Sequence, residues 1–117
     1  MSNKKYVEKP WGHEEIWANT KNYVGKILYI NKKSRLSLQY HVKKEETIRV
    51  ISGTLFLHYE DKSMGIKEEV LKSGDSIHIP PMTIHRFEAR NEPVVLVEVS
   101  TIELDDVVRV EDDYNRK

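Results

Sequence analysis

Apolar side chains recur at every second position in short segments of the chain, and this alternation limits the fold more than any other feature. In the segment Tyr23–Ile30, for example, Val24, Leu28 and Ile30 share one face with Lys26, because successive side chains of an extended strand point to opposite sides. Turn residues interrupt the alternation at Asn31-Lys32-Lys33-Ser34, Ser73-Gly74-Asp75, Pro80-Pro81 and Asn91-Glu92-Pro93. No segment has the period of a long amphipathic helix. The pattern therefore predicts an all-β domain, built as a small closed barrel or a double-sheet roll.

The same pattern predicts where the strands lie. They are Tyr23–Ile30, Arg35–His41, Thr47–Ile51, Thr54–Tyr59, Ile66–Leu71, Ser76–Ile79, Ile84–Ala89 and Val94–Val99. The Ser52-Gly53 dipeptide predicts a hairpin that joins the third of these strands to the fourth. We expect a single domain over residues 1–117 with its core at about 22–101. An N-terminal segment and an acidic, solvated C-terminal tail would flank that core.

Composition excludes several classes of protein. The 117 residues include 19 basic and 19 acidic side chains, so the formal net charge is zero and no broad cationic field favours a nucleic-acid backbone. No apolar run approaches the roughly 20 residues of a membrane span, and the first residues lack the apolar part of a signal peptide. The absence of cysteine excludes disulfides, thiolate zinc sites and cysteine nucleophiles. We therefore expect a cytoplasmic protein with no nucleic-acid or membrane partner.

A set of metal-ligating residue types stands out against the apolar alternation. The strand Arg35–His41 carries a wholly polar face that includes Gln39 and His41. After a tight turn Glu46 begins the next strand, and His85 begins a later one. Two imidazoles, a carboxylate and an amide oxygen suit one divalent cation with coordination positions left open for substrate. The sequence therefore predicts a metal site at Gln39, His41, Glu46 and His85.

Several of these residues have alternative interpretations. Glu45 is an alternative to Glu46 as the carboxylate ligand. A basic residue at a strand start, such as Arg35, also serves as an exposed edge residue, and Lys26 fits an outward-facing position as well as a pocket. His41 and His85 indicate a metal only jointly, because a single histidine on a strand is more often structural.

The spacing of these residues resembles the two-part signature of the cupin family. The first motif corresponds to Gln39-Tyr40-His41, Glu46 and Gly53, and the second to Gly74, Pro80 and His85. Two positions depart from the common pattern, since Gln39 stands where most cupins have a histidine and Met82 where a glycine is usual. One branch of the cupins regularly has this glutamine.

That branch is the C-terminal domain of the type II mannose-6-phosphate isomerases, which the chain resembles over nearly its full length. The matching stretches are Lys9-Pro10-Trp11-Gly12, Lys26, Arg35-Leu36-Ser37-Leu38-Gln39-Tyr40-His41, Val50-Ile51-Ser52-Gly53-Thr54, Ile79-Pro80, His85-Arg86, Glu98-Val99 and Asp105–Arg116. The resemblance implies a jelly-roll cupin that forms a homodimer and interconverts mannose 6-phosphate and fructose 6-phosphate or a related phosphorylated sugar. The chain departs from the family at Lys44, where an arginine is typical, and at Thr47-Ile48, where His-Trp is typical. Lysine retains the charge but lacks the planar fork with which arginine grips a phosphate.

Isomerisation of a sugar phosphate implies three kinds of group. A divalent cation, with zinc favoured and manganese, iron or nickel also suitable, would polarise the sugar oxygens. A base would move a proton between adjacent carbons, and its candidates are Glu98 and Lys26. The candidates for binding the phosphate are Arg35, Lys44, Arg86 and Arg109.

Two other functions fit the same residues. One is a non-catalytic module that binds a sugar or metabolite on a metal-containing barrel. The other is a non-haem iron oxygenase, because two histidines and a carboxylate also form that iron site.

Overall fold

The computed structural model describes residues 4–117, which contain eleven β-strands joined by turns and loops. They are β1 (Lys5–Lys9), β2 (Gly12–Asn19), β3 (Val24–Ile30), β4 (Leu38–Tyr40), β5 (Glu46–Ser52), β6 (Leu55–Asp61), β7 (Gly65–Leu71), β8 (Ser76–Ile79), β9 (His85–Glu88), β10 (Val94–Ser100) and β11 (Val108–Glu111). The described residues contain no helix long and apolar enough to cross a membrane. The prediction of an all-β fold is confirmed.

The strands form two antiparallel sheets. The first has six strands in the order β1-β2-β3-β10-β5-β8, and the second has five in the order β11-β4-β9-β6-β7. Leu28, Ile48 and Leu96 face inward from the first sheet and are 2% exposed or less, while Leu57 and Phe87 face them from the second. The alternation along each strand thus supplies one apolar face per sheet, and the two faces pack together as the core.

The predicted hairpin at Ser52-Gly53 is wrong. The strand β5 belongs to the six-stranded sheet and β6 to the five-stranded sheet, so this link crosses between the sheets. Gly53 makes the crossing with a φ of 82°, and a Cβ atom there would lie 2.3 Å from the carbonyl oxygen of Pro93. Glycine is needed for this close approach, and the same residue type that suggests a hairpin instead permits a change of sheet.

Strands β1, β2 and β11 lie outside the strands that alternation predicts. The strands β1 and β2 extend the six-stranded sheet, and β11 pairs with β4 at the edge of the other. Trp11, between β1 and β2, is 3% exposed within the core, and Tyr114 packs against the same core. The two flanking segments therefore contribute to the packed interior.

Replacing Trp11 with alanine tests the role of the N-terminal segment. We expect Trp11→Ala to lower the free energy of unfolding by about 3–5 kcal/mol, because it empties a buried aromatic site. The matched change Tyr23→Ala removes a side chain that is 56% exposed and should cost less than about 0.5 kcal/mol. Urea denaturation measures both values, and similar losses in the two variants would contradict this assignment of the core.

Candidate metal centre and cavity

Three candidate ligands meet between the sheets. His41 follows β4 and His85 begins β9 in the five-stranded sheet, whereas Glu46 begins β5 in the six-stranded sheet. One ligating atom from each lies within 4.8 Å of the other two, and all three side chains are buried. The Nε2 atom of His41 is 3.0 Å from the Oε2 atom of Glu46.

Hydrogen bonds at Nδ1 hold both imidazole rings in place. His41 Nδ1 lies 2.5 Å from the carbonyl oxygen of Asp106, and His85 Nδ1 lies 2.9 Å from that of Thr83. A carbonyl oxygen only accepts hydrogen bonds, so Nδ1 carries the proton in both rings and Nε2 presents its lone pair to the site. This is the tautomer that a metal-binding histidine requires.

The electrostatics of the three residues also fit a divalent cation. The ligating atoms His41 Nε2, Glu46 Oε2 and His85 Nε2 are buried and have no hydrogen-bond partner. Burial lowers the pKa of His85, which favours its neutral, ligating form. Burial opposes ionisation of Glu46, but the nearby Lys44 ammonium helps to outweigh it, and the pKa of this carboxyl group is lowered. Three buried ligating atoms of these types form a cradle suited to a transition metal.

The fourth predicted ligand lies beside this group. Gln39 is paired in register with His85 and, with His41 and Glu46, lines a cavity between the sheets. Its Oε1 atom accepts a hydrogen bond of 2.6 Å from the Ser37 hydroxyl, and the amide oxygen has a second lone pair for a cation. Glu45 points away, because its carboxylate is exposed and lies 2.5 Å from Nε2 of His78.

A chain of alternating charges runs inward from the candidate ligands. The Nζ atom of Lys44 is 3.5 Å from Oε2 of Glu46 and 3.0 Å from Oε2 of Glu98, and Lys26 pairs with Glu14 at 3.2 Å. All five groups are at most 8% exposed. Burial, reinforced by Glu46, raises the pKa of Glu98. Burial opposes the charge of Lys44, yet the two carboxylates beside it raise its pKa.

These charges face a cavity of about 340 Å³ between the sheets. Its cationic lining consists of Lys5, Lys9, Lys26, Lys44, Arg109 and Arg116, and its acidic lining of Glu14, Glu46, Glu98 and Asp105. Alternation does not identify Glu14 as a site residue, since it lies on β2, which alternation does not predict. The only sequence signal near Glu14 is the neighbouring stretch Lys9-Pro10-Trp11-Gly12, which is one of those that match the family.

The predicted phosphate-binding residues separate into two groups. Lys44 and Arg109 line the cavity, and Nε of Arg109 is buried there with no hydrogen-bond partner. Arg35 lies outside the lining and forms a two-point ion pair with Asp113. Arg86 is also outside, and its Nε atom donates to the carbonyl oxygen of Leu36. The structure therefore does not bring Arg35 or Arg86 to the cavity.

Two antiparallel sheets around a cavity are the architecture of the cupin fold, and solved structures share it. The capsular polysaccharide assembling protein CapF from Staphylococcus aureus superposes with a TM-score of 0.80 at 14% identity, covering 95% of this chain and 32% of CapF. KdgF from Halomonas sp. gives 0.72 at 14% identity and covers 86% of this chain and 88% of KdgF. Oxalate decarboxylase from Bacillus subtilis gives 0.77 at 18% identity, covering 91% and 30%.

The sequence comparisons identify the branch of cupins. The family described as Mannose-6-phosphate isomerase C-terminal matches residues 1–112. The alginate biosynthesis protein AlgA of Pseudomonas aeruginosa is 31% identical over 114 residues, and the mannose-1-phosphate guanylyltransferase ManC of Salmonella typhimurium is 32% identical over 114 residues. Each alignment covers 94% of this chain and 23% of the relative. The chain belongs to the Mannose-6-phosphate isomerase C-terminal family, which confirms the resemblance.

Adding a metal ion tests the three-residue cradle. We expect zinc or manganese to raise the melting temperature of chelator-treated protein, because a ligand at a hundred times its dissociation constant stabilises the folded state by about 2.7 kcal/mol. The variant His85→Ala should lose this shift, and Glu98→Gln should keep it because Glu98 lies outside the group of three. Differential scanning calorimetry measures the shift, and an unchanged shift in His85→Ala would exclude this site.

Asp106 supports the candidate centre without lying in it. Its carboxylate accepts hydrogen bonds from the backbone amides of Val42, Lys43 and Lys44, which lower its pKa to about 2, so it is charged at neutral pH. We expect Asp106→Ala to weaken metal binding about tenfold by loosening the loop that carries the ligands. The matched change Asp105→Ala should have little effect. Titration against a chromophoric chelator measures both, and equal affinities would refute the supporting role of Asp106.

Proposed function

We propose that this protein is a metal-dependent aldose–ketose isomerase acting on a phosphorylated sugar, with mannose 6-phosphate and fructose 6-phosphate as its most natural pair. One observation carries the proposal. His41 and Glu46 line the same cavity as the buried carboxylate of Glu98, and His85 completes their group of three ligating residues beside it, in a chain that belongs to the isomerase-type family.

The metal ligands in this proposal are His41, Glu46 and His85, with the amide oxygen of Gln39 completing the set. When bound, a divalent cation would polarise the carbonyl and hydroxyl oxygens of the sugar. Mixed nitrogen and oxygen ligands suit zinc, manganese, iron and nickel. Zinc is our first choice, and the Mn(II) centres of the Bacillus subtilis oxalate decarboxylase, a fold relative, make manganese the second metal to test.

Glu98 is the proposed base. A shift of a proton between adjacent carbons needs a group that accepts the proton from one carbon and returns it to the other. The Glu98 carboxylate lines the cavity, and the Lys44 ammonium 3.0 Å away holds it in place. Lys26 is the second candidate, but its ammonium already donates to Glu14, so we assign it to orienting the sugar hydroxyls.

Arg109 is the proposed phosphate ligand. It is paired in register with Gln39, which is paired with His85, so the three side chains lie on one face of the five-stranded sheet. Two strand spacings separate Arg109 from His85, or about 10 Å. A six-carbon sugar phosphate can span this distance, with its reacting end at the histidines and its phosphate at the buried Nε atom.

The decisive experiment is an NMR assay in deuterium oxide with protein loaded separately with zinc, manganese and ferrous iron. We expect mannose 6-phosphate and fructose 6-phosphate to interconvert with deuterium uptake at C1 or C2, and a chelator to stop the reaction. His41→Ala and His85→Ala should abolish turnover in protein that remains folded by circular dichroism. Glu98→Gln should retain metal and lose turnover, whereas Arg109→Met should mainly raise KM.

Three results would overturn the proposal. Full turnover in metal-free protein would remove the role of the centre. Tight binding of the sugar phosphate without interconversion would instead indicate a non-catalytic binding module. Oxygen consumption that depends on Fe(II), measured with an oxygen electrode, would indicate a non-haem iron oxygenase.

A further inference from the structure

The cavity between the sheets is bordered by an edge strand from each sheet. Strands β1 and β11 are edge strands of the six-stranded and five-stranded sheets, and residues of both line the cavity. Among the described residues, none from the opposite edge strands β7 and β8 does so. The cavity therefore opens between β1, which contributes Lys5, Val7 and Lys9, and β11, which contributes Arg109.

The two lysines of β1 face the cavity with no anionic partner. Side chains alternate along the strand, so the neighbouring Lys4 lies on the outer surface, where it pairs with Glu15 at 3.3 Å. Neither Lys5 nor Lys9 forms an ion pair with any carboxylate in residues 4–117. Their charges are therefore available to a ligand.

The other charges that line the cavity are largely compensated. Two buried lysines and three buried carboxylates pair with one another: Lys26, Lys44, Glu14, Glu46 and Glu98. Arg116 pairs with Asp112 at 2.9 Å. The Nη1 atom of Arg109 donates to the backbone oxygen of Lys117, which leaves its buried Nε atom free for a ligand.

The opening of the cavity therefore has a surplus of positive charge. Its uncompensated members are the cations Lys5, Lys9 and Arg109 and the exposed carboxylate of Asp105. Three cations and one anion leave a surplus of two positive charges. A phosphate monoester carries about −1.5 to −2 at neutral pH, so one such group would neutralise the opening.

We propose that Lys5 and Lys9 bind the phosphate group of the substrate from the β1 side of the opening, opposite Arg109 on β11. This inference rests on the proposed function and adds the N-terminal strand to its binding site. Lysine binds phosphate as a point charge, and its flexible stem lets the ammonium follow the ligand. Arg35 and Arg86 lie outside this lining.

The register of the six-stranded sheet relates Lys5 to the proposed base. Lys5 is paired with Ile16, Ile16 with Lys26, and Lys26 with Glu98. These inward-facing residues form one row, and three strand spacings separate its ends, or about 14 Å between Cα atoms. The stem of Lys5 shortens this distance from one end. A sugar whose reacting carbons lie at Glu98 would thus present its remote phosphate to the ammonium of Lys5.

The surface between the two lysines suits an anion. Lys5 and Lys9 are four residues apart, or about 13 Å along the strand, and the apolar side chain of Val7 lies between them. Both ammonium groups can therefore reach a phosphate above Val7. Glu14 is paired in register with Val7, but the Lys26 ammonium at 3.2 Å compensates its carboxylate.

Phosphorus NMR titration of the full chain with mannose 6-phosphate tests these roles. A chelator is present throughout, so that metal-dependent turnover does not disturb the measurement. We expect Lys5→Met and Lys9→Met each to raise the dissociation constant about tenfold, and the double methionine variant at least about thirtyfold, because each removes a charged hydrogen bond. The variant Lys5→Arg/Lys9→Arg retains both charges and should bind within about threefold of the natural protein.

The matched control is Lys4→Met, which removes the same charge one residue away on the outer surface and should leave the affinity unchanged. Circular dichroism verifies the fold of each variant. Unchanged affinity in the double methionine variant, equal weakening by Lys4→Met, or no binding by the natural protein at about 10 mM mannose 6-phosphate would each overturn the inference.

The deuterium-exchange assay separates this inference from the isomerase proposal. Turnover by the natural protein with an unchanged KM in the double methionine variant would reject the role of Lys5 and Lys9 and leave the isomerase intact. Binding that depends on both lysines, in a natural protein that does not interconvert the two sugars, would support the phosphate site and reject the isomerase.

Discussion

The buried run of opposite charges between the sheets is the constraint on which the rest of the structure depends. A small two-sheet roll ordinarily fills its interior with apolar side chains, yet here Glu14, Lys26, Lys44, Glu46 and Glu98 are nearly inaccessible to water. Removing these groups from water is costly unless each finds a partner of opposite charge. The ion pairs at 3.0–3.5 Å supply those partners, and they confine the apolar core to the remainder of the interior.

This arrangement gives Lys44 a role different from that of a surface cation. Its ammonium lies between the carboxylates of Glu46 and Glu98, so it balances two buried negative charges at once. Removing one partner from such a pair leaves an uncompensated charge in the interior, which costs far more than losing an exposed ion pair. Lys44 therefore has a structural role, because its ammonium separates and neutralises the two buried carboxylates.

The sequence predicts the parts of the fold in which a strand has one apolar and one polar face. The strands β3 and β10 follow the alternation closely and lie almost where it places them. Apolar alternation does not predict β1 and β2, because three of their inward-facing residues are charged and line the polar cavity: Lys5, Lys9 and Glu14. The site shows the same division. The motif spacing predicts that His41, Glu46 and His85 lie together. No local pattern predicts the ion pair between Arg35 and Asp113, because these residues are distant in the chain.

The origin of the three candidate ligands has a mechanical consequence. His85 belongs to the five-stranded sheet and His41 directly follows its strand β4, whereas Glu46 belongs to the six-stranded sheet, so an ion held by all three would join the two layers as a crosslink. Separation of the layers and loss of such an ion would then be a single event. The rate at which the two sheets separate would limit the exchange of such an ion, and protein with the ion bound would resist proteases that cut only after the sheets separate.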